Sequence, residues 1–169
     1  MASVRAAQPD DSGAIVAIHL DAWRERYPHW PDSTWSRLAP EETTATWRRS
    51  LKAAPSPRHQ VLIATDDAGH ICGFATLAPD EIEPDHTLIE LLEVAPSHRR
   101  SGHGSRLMSA AAAHSEGQAG LLMWIDQGSD AGRFLVDSGW GPRGRRRVLE
   151  VSEDLHLAQH QWWTSIENN

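Results

Sequence analysis

The stretch from Leu88 to Met108 constrains the fold more than any other part of this 169-residue chain. Ile89 to Val94 is an apolar run interrupted by Glu90 and Glu93, and it reads as a buried strand. Pro96 has no N–H to offer a ladder, so the strand ends before it. Arg99, Arg100, Ser101, Gly102, His103 and Gly104 then form a basic loop spaced by glycine. From about Ser105 to Ser115 the Leu, Met and Ala content predicts a helix. A strand, a glycine loop and a helix start make an anion site, because the first N–H groups of a helix lack internal acceptors and its dipole favours negative charge. Glycine at 102 and 104 admits a phosphate close to the backbone and tolerates positive φ. Two familiar phosphate loops do not fit: neither Gly-x-x-x-x-Gly-Lys-Ser/Thr nor Gly-x-Gly-x-x-Gly is present. Taken alone, the six loop residues also describe a glycine turn capping an ordinary helix. The surrounding frame is what points to an anion.

Charge and composition narrow the partners. A formal net charge of −7 argues against a general nucleic-acid or membrane binder, which needs a basic face. The Pro142–Arg147 run, with its four arginines, therefore reads as a solvated turn. No apolar run approaches the roughly 20 residues that span a bilayer, and Met1 to Asp11 has no apolar segment of the secretory kind. The single cysteine, Cys72, excludes an internal disulfide framework, so a cytoplasmic location is expected. Its surroundings, Ile-Cys-Gly-Phe-Ala, predict a buried, inert thiol. No metal is expected. His156 and His160 would stand about 13 Å apart along a strand, and no Cys/His spacing matches a zinc site.

In chain order, residues 3–7 predict a first strand, and Ile15, Ile18, Ala22 and Trp23 recur at helical spacing over Asp11 to Arg26. Tyr27 to Pro40 is a proline-punctuated connection, and Glu41 to Leu51 a second helix. Gln60–Thr65 and Ile71–Leu77 pair as a hairpin across Asp66, Asp67 and Gly69. Beyond the central strand and helix come a strand at Leu121–Ile125, a helix at Asp130–Ser138 closed by Gly139, and strands at Arg146–Val151 and Leu157–Thr164. No repeat, low-complexity tract or long linker divides the chain, so residues 1–169 are expected to form a single α/β domain with a mixed, mainly antiparallel sheet flanked by helices.

Val94-x-Pro96-x-x-Arg99-Arg100-x-Gly102-x-Gly104 resembles the acyl-CoA-binding motif of the GNAT acetyltransferase superfamily, and the order of elements resembles that family over nearly the whole chain. The resemblance implies acetyl-CoA as cosubstrate. It implies that amides and side chains of Arg99, Arg100, Ser101, Gly102, His103, Gly104 and Ser105 hold the pyrophosphate, and that the backbone of Leu92, Glu93 and Val94 pairs with the pantetheine arm and faces the thioester oxygen. Gly128-x-x-Ala131-x-x-Phe134-Leu135 followed by Gly139-Trp140 is similar to the family's second signature, most closely in actinobacterial-type members. Gly128 stands where the family usually has Asn. Leu135 stands where it usually has the Tyr that protonates the leaving thiolate, and leucine cannot donate a proton.

Acyl transfer to an amine needs a proton acceptor, donors at the developing oxyanion, and two reactants held together. Glu90 is the first candidate base and Glu93 the second, since a carboxylate in an apolar strand is partly desolvated and its pKa rises. Alternation sets Glu90 on the face of Leu92 and Val94, opposite Glu93, unless a bulge reverses the phase. Glu93 reads equally as one half of an arginine pair. Arg106 reads either as a phosphate ligand or as a solvated surface arginine, and His103 as a solvated loop residue that could face a phosphate. Trp23, Tyr27, Trp30 and Trp35 form either an aromatic wall on the acceptor side or a helix-packing cluster. An acetyl-CoA-dependent N-acetyltransferase acting on a small-molecule or peptide amine is the expected function, with a non-catalytic acyl-CoA sensor as the alternative. The Trp-rich final strand offers a surface for a homodimer.

Overall fold

The computed structural model describes residues 1–166. Seven strands form one mixed sheet in the order β1-β2-β3-β4-β5-β7-β6, mostly antiparallel and flanked by helices. Along the chain, backbone contacts separate residues Met1–Leu77 with Leu91–Ala111 from residues Ala78–Glu90 with the chain from Ala112 onward.

In the first unit, β1 (Ser3–Ala6) pairs antiparallel with β2 (Gln60–Thr65), which pairs antiparallel with β3 (Ile71–Pro79). Pro9, Asp10 and Asp11 open α1 (Ser12–Arg26), and the Asp11 carboxylate both accepts the Gln8 N–H at 2.6 Å and pairs with Arg5 at 2.7 Å. The predicted periodicity holds: Ile15, Ile18 and Ala22 are buried, and Ile15 and Ile18 pack with Ile63 and Phe74. The proline-punctuated connection contains a one-turn helix, α2 (Asp32–Ser36), which the prolines had masked. Pro40 and two glutamates begin α3 (Pro40–Lys52), whose Trp47 and Leu51 pack on the same core. Between β2 and β3, Gly69 turns at φ +85°. Gly73 on β3 is fixed by proximity, because a Cβ there would lie 2.7 Å from the Glu93 carbonyl oxygen. β4 (His86–Val94) can approach only a glycine at that point. A short 3-10 turn (Pro96–His98) follows, then the loop, then α4 (His103–His114), which begins two residues before the predicted Ser105.

In the second unit, His86–Ile89 of β4 run parallel to Gly120–Met123 of β5 (Gly120–Asp126), and β5 pairs antiparallel with β7 (Leu155–Ser165). Leu121, Leu122 and Met123 are buried, as are Leu135 of α5 (Ala131–Asp137) and Trp140 beyond it. The Pro142–Arg147 run corrects an expectation: it lies within β6 (Gly141–Ser152), not in a solvated turn. Alternation explains this. Arg143, Arg145 and Arg147 share a half-buried face, and Arg143 and Arg145 reach Glu83 at 2.7 and 3.3 Å while Arg147 donates to Gln159 at 2.7 Å. Trp163 of β7 is 37% exposed. Among the described residues no helix is long and apolar enough to cross a membrane.

Candidate active site

The two carboxylates of β4 lie on opposite sides of the strand, as alternation requires, but the buried side is not the one expected. Thr87, Ile89 and Glu93 are buried, whereas Glu90 is exposed. The Leu91 N–H bonds the Thr76 hydroxyl at 3.1 Å, a local irregularity that leaves this phase intact. The expected desolvation therefore belongs to Glu93, which is 4% exposed, and not to Glu90. Arg26, the last residue of α1, donates to Glu93 from both Nη atoms, at 3.3 Å to Oε1 and 3.0 Å to Oε2. Burial pushes the Glu93 carboxyl above its ordinary pKa, and Arg26, Arg99 and a hydrogen bond from Trp23 pull it back without cancelling the rise. Nothing local in the sequence marks Arg26 as this partner.

The same side holds His19, 6% exposed, with its ring 4.1 Å from Trp23 and 5.9 Å from Phe74. Burial, with a smaller contribution from Arg26, lowers its pKa to about 4, so the ring is neutral at pH 7. Trp23, Tyr27, Trp30 and Trp35 pack on one another. Tyr27 stacks on Trp30 at 4.3 Å and 3°, and Trp30 is buried. This is the helix-packing arrangement, with Arg24 lying 4.6 Å over Trp35 at its edge.

The glycine loop is built from left-handed backbone. Arg100 has φ 62° and Gly102 φ 81°. For arginine that conformation is strained, and strained loop residues cluster at functional sites. Arg99 pairs with Glu25. Arg106 does not reach outward. It donates to the Ser101 carbonyl at 3.3 Å and to His103 Nδ1 at 2.7 Å, and a Cβ on Gly102 would stand 3.2 Å from its guanidinium. Gly102 thus leaves room for an arginine that staples the loop. His103 is 5% exposed, which corrects the solvated reading, and its pKa is lowered by burial first and by Arg106 and His98 after it. The first bond of α4 runs from the Arg106 N–H to the Gly102 carbonyl at 3.0 Å. The N–H groups of His103, Gly104 and Ser105 precede it and lack intrahelical acceptors, so the end of α4 fits a bound anion.

The parallel ladder between β4 and β5 stops at Ile89 and Met123, and Leu92 to Val94 continue β4 past that point. Leu135 is 1% exposed, a core residue with no proton to give.

Comparison with known proteins shows the family. Residues 15–135, which run from α1 through the loop and α4 to Leu135, match the model of the Acetyltransferase (GNAT) family. A probable N-acetyltransferase of Mycobacterium tuberculosis is 30% identical over 140 residues, covering 79% of this chain and 76% of that one. The uncharacterized N-acetyltransferase YuaI of Bacillus subtilis is 28% identical over 131 residues, 74% of this chain and 72% of its own. The structure of yncA from Salmonella typhimurium, which holds its cofactor acetyl-CoA, has the same fold with a TM-score of 0.71 at 17% identity, over 100% of this chain and 96% of that one. The family match takes in β4, the left-handed loop and the start of α4 together, and the chain belongs to the acetyltransferase (GNAT) family.

Proposed function

We propose that the protein is an acetyl-CoA-dependent N-acetyltransferase in which an amine attacks the thioester directly within a ternary complex. The observation that carries this reading is the amino end of α4. Its unbonded N–H groups are reached through left-handed residues at 100 and 102, just past the end of β4. Such an end fits a diphosphate, with Gly102, His103, Gly104 and Ser105 supplying backbone donors and Ser101 the turn into them. Arg100, exposed and with no ion-pair partner among the described residues, adds positive charge, and Arg99 does so if it leaves Glu25. The backbone of Leu92, Glu93 and Val94 pairs with the pantetheine arm and donates to the thioester oxygen as it gains charge.

Acetyl-CoA, when bound, supplies an acyl carbon and a thiolate that departs with the bonding pair as the amine adds. Glu93 takes the proton the amine loses, because its burial raises its basicity above that of an exposed carboxylate. Glu90 lies exposed on the other face and takes no part in this step. With leucine at 135, the thiolate takes its proton from water.

Calorimetry with acetyl-CoA and a free-thiol release assay over a panel of amines (polyamine, aminoglycoside, amino acid, peptide N-terminus) test the proposal. Heat on binding and amine-dependent thiol release are expected; no heat overturns the loop assignment. The buried Leu135 favours one second reading, an acyl-CoA sensor or scaffold. Binding heat with no thiol release for any amine identifies it.

A further inference from the structure

We propose that Asp66, Cys72 and His98 form a binding site for a divalent transition-metal ion of the zinc class, joining the β2–β3 turn to the segment that leads into the glycine loop. The residues come from three places: the residue after β2, the second residue of β3, and the last residue of the 3-10 turn before Arg99. Each presents one donor atom, and the three donors lie within 4.8 Å of one another. A tetrahedral zinc ion with bonds of about 2.0–2.3 Å needs donors roughly 3.3–3.8 Å apart, so closure asks for a contraction of about 1 Å.

The donors are oriented as ligands are. Asp66 Oδ1 accepts the N–H groups of Ala68 and His70, each at 2.9 Å, which leaves Oδ2 directed at His70 Nδ1 (3.2 Å) and His98 Nε2 (3.7 Å). His98 Nδ1 lies 3.0 Å from the Ser97 hydroxyl. A donation from Nδ1 to that hydroxyl would fix the ring and free the Nε2 lone pair, on the Asp66 side, for a metal. Cys72 closes the inner end, fully buried, while the Asp66 and His98 side chains are 24% and 35% exposed and open a path from solvent. His70 Nδ1 or a water completes four-coordination. One sulfur, one or two imidazole nitrogens and one carboxylate oxygen suit zinc or cobalt, whereas magnesium and calcium take oxygen ligands. On binding, the Cys72 S–H bond breaks, its proton leaves to the buffer and a sulfur–metal bond forms, with no electron transferred. Positions 66, 72 and 98 match no linear Cys/His spacing, so the sequence hides the site. Direct acyl transfer uses no metal, and the proposal stands apart from the catalytic reading.

Cobalt(II) tests it on the full-length, untagged, chelator-treated protein. The chain has a single cysteine, so a thiolate-to-cobalt charge-transfer band has only one origin. A band that saturates at one equivalent, vanishes in Cys72→Ser and needs at least about tenfold more cobalt in His98→Gln is expected. Zinc should also raise the unfolding temperature of the wild type and leave that of His98→Gln unchanged. His98 is partly exposed, so its variant reports even if the Cys72 variant does not fold. No charge-transfer band at stoichiometric cobalt, or a band with the same midpoint in His98→Gln, overturns the site.

Discussion

Glu90 and Glu93 stand on one strand and meet opposite surroundings. Glu93 is buried, gripped by both Nη atoms of Arg26 and neighboured by Trp23. Glu90 is exposed, and its charge acts on Arg147 less than those of Asp126 and Asp80 do; Arg147 spreads its guanidinium 4.5 Å over Trp124 and donates to Gln159. The dry carboxylate holds a fixed partner and retains a raised pKa. The same residue type on the same strand is therefore desolvated at one position and solvated at the other.

The largest expected effect separates the two directly. Glu93→Gln should lower kcat by about a hundredfold or more, the usual scale for a general base, and leave acetyl-CoA affinity within about twofold because the loop is untouched. Glu90→Gln should change kcat by less than about threefold. The comparison breaks if steady-state kinetics show the reverse order.

Much of this was legible beforehand. The strand, Pro96, the glycines and the helix follow from local rules, and opposite faces for Glu90 and Glu93 follow from a period of two. Which face is buried does not. That is decided by α1, whose Arg26 lies 67 residues away in sequence from Glu93. His103 looked solvated because its loop neighbours are glycine, serine and arginine, yet Arg106 folds back over it and makes it a buried acceptor. The Pro142–Arg147 run looked like a turn because its charge carried no visible partner. Glu83 supplies one from a distant loop. For Glu93 and the arginine run the missing information was a partner some 60 residues or more away, and for His103 it was the side-chain direction of Arg106 three residues on; no residue pattern encodes either.

The dry side should also govern the response to acid. His19 has a folded pKa of about 4 against an ordinary 6.5. The unfolded chain binds a proton there first, so His19's contribution is fully present above pH 6.5 and is lost as pH falls towards 4, about 3 kcal/mol in all. Glu93 carries the opposite sign. Its raised pKa lets the folded chain take up a proton before the unfolded one, which favours folding as pH falls. Urea unfolding at pH 7 and pH 4.5 should show a net loss in the wild type, a flatter profile in His19→Gln and a steeper one in Glu93→Gln. Equal profiles in all three would show that the two groups feel the same water as Glu90. Next in size, Arg26→Met strips Glu93 of its partner. Because Arg26 is 40% exposed, the cost is well below that of a fully buried pair, about 1–2 kcal/mol by chemical denaturation at pH 7.

Arg147→Met is the smallest and the sharpest. On the wet side the guanidinium loses one hydrogen bond to Gln159 and its stacking on Trp124, while the methionine stem keeps part of the contact. A partly exposed cation–π contact is worth about 0.5–1 kcal/mol, so the unfolding free energy should fall by no more than about 1 kcal/mol. Glu90 stays exposed in this variant, and kcat should stay within about twofold. A loss of turnover matching that of Glu93→Gln would mean that the field on Glu90 matters to the reaction, and the wet carboxylate, not the dry one, would then be the proton acceptor.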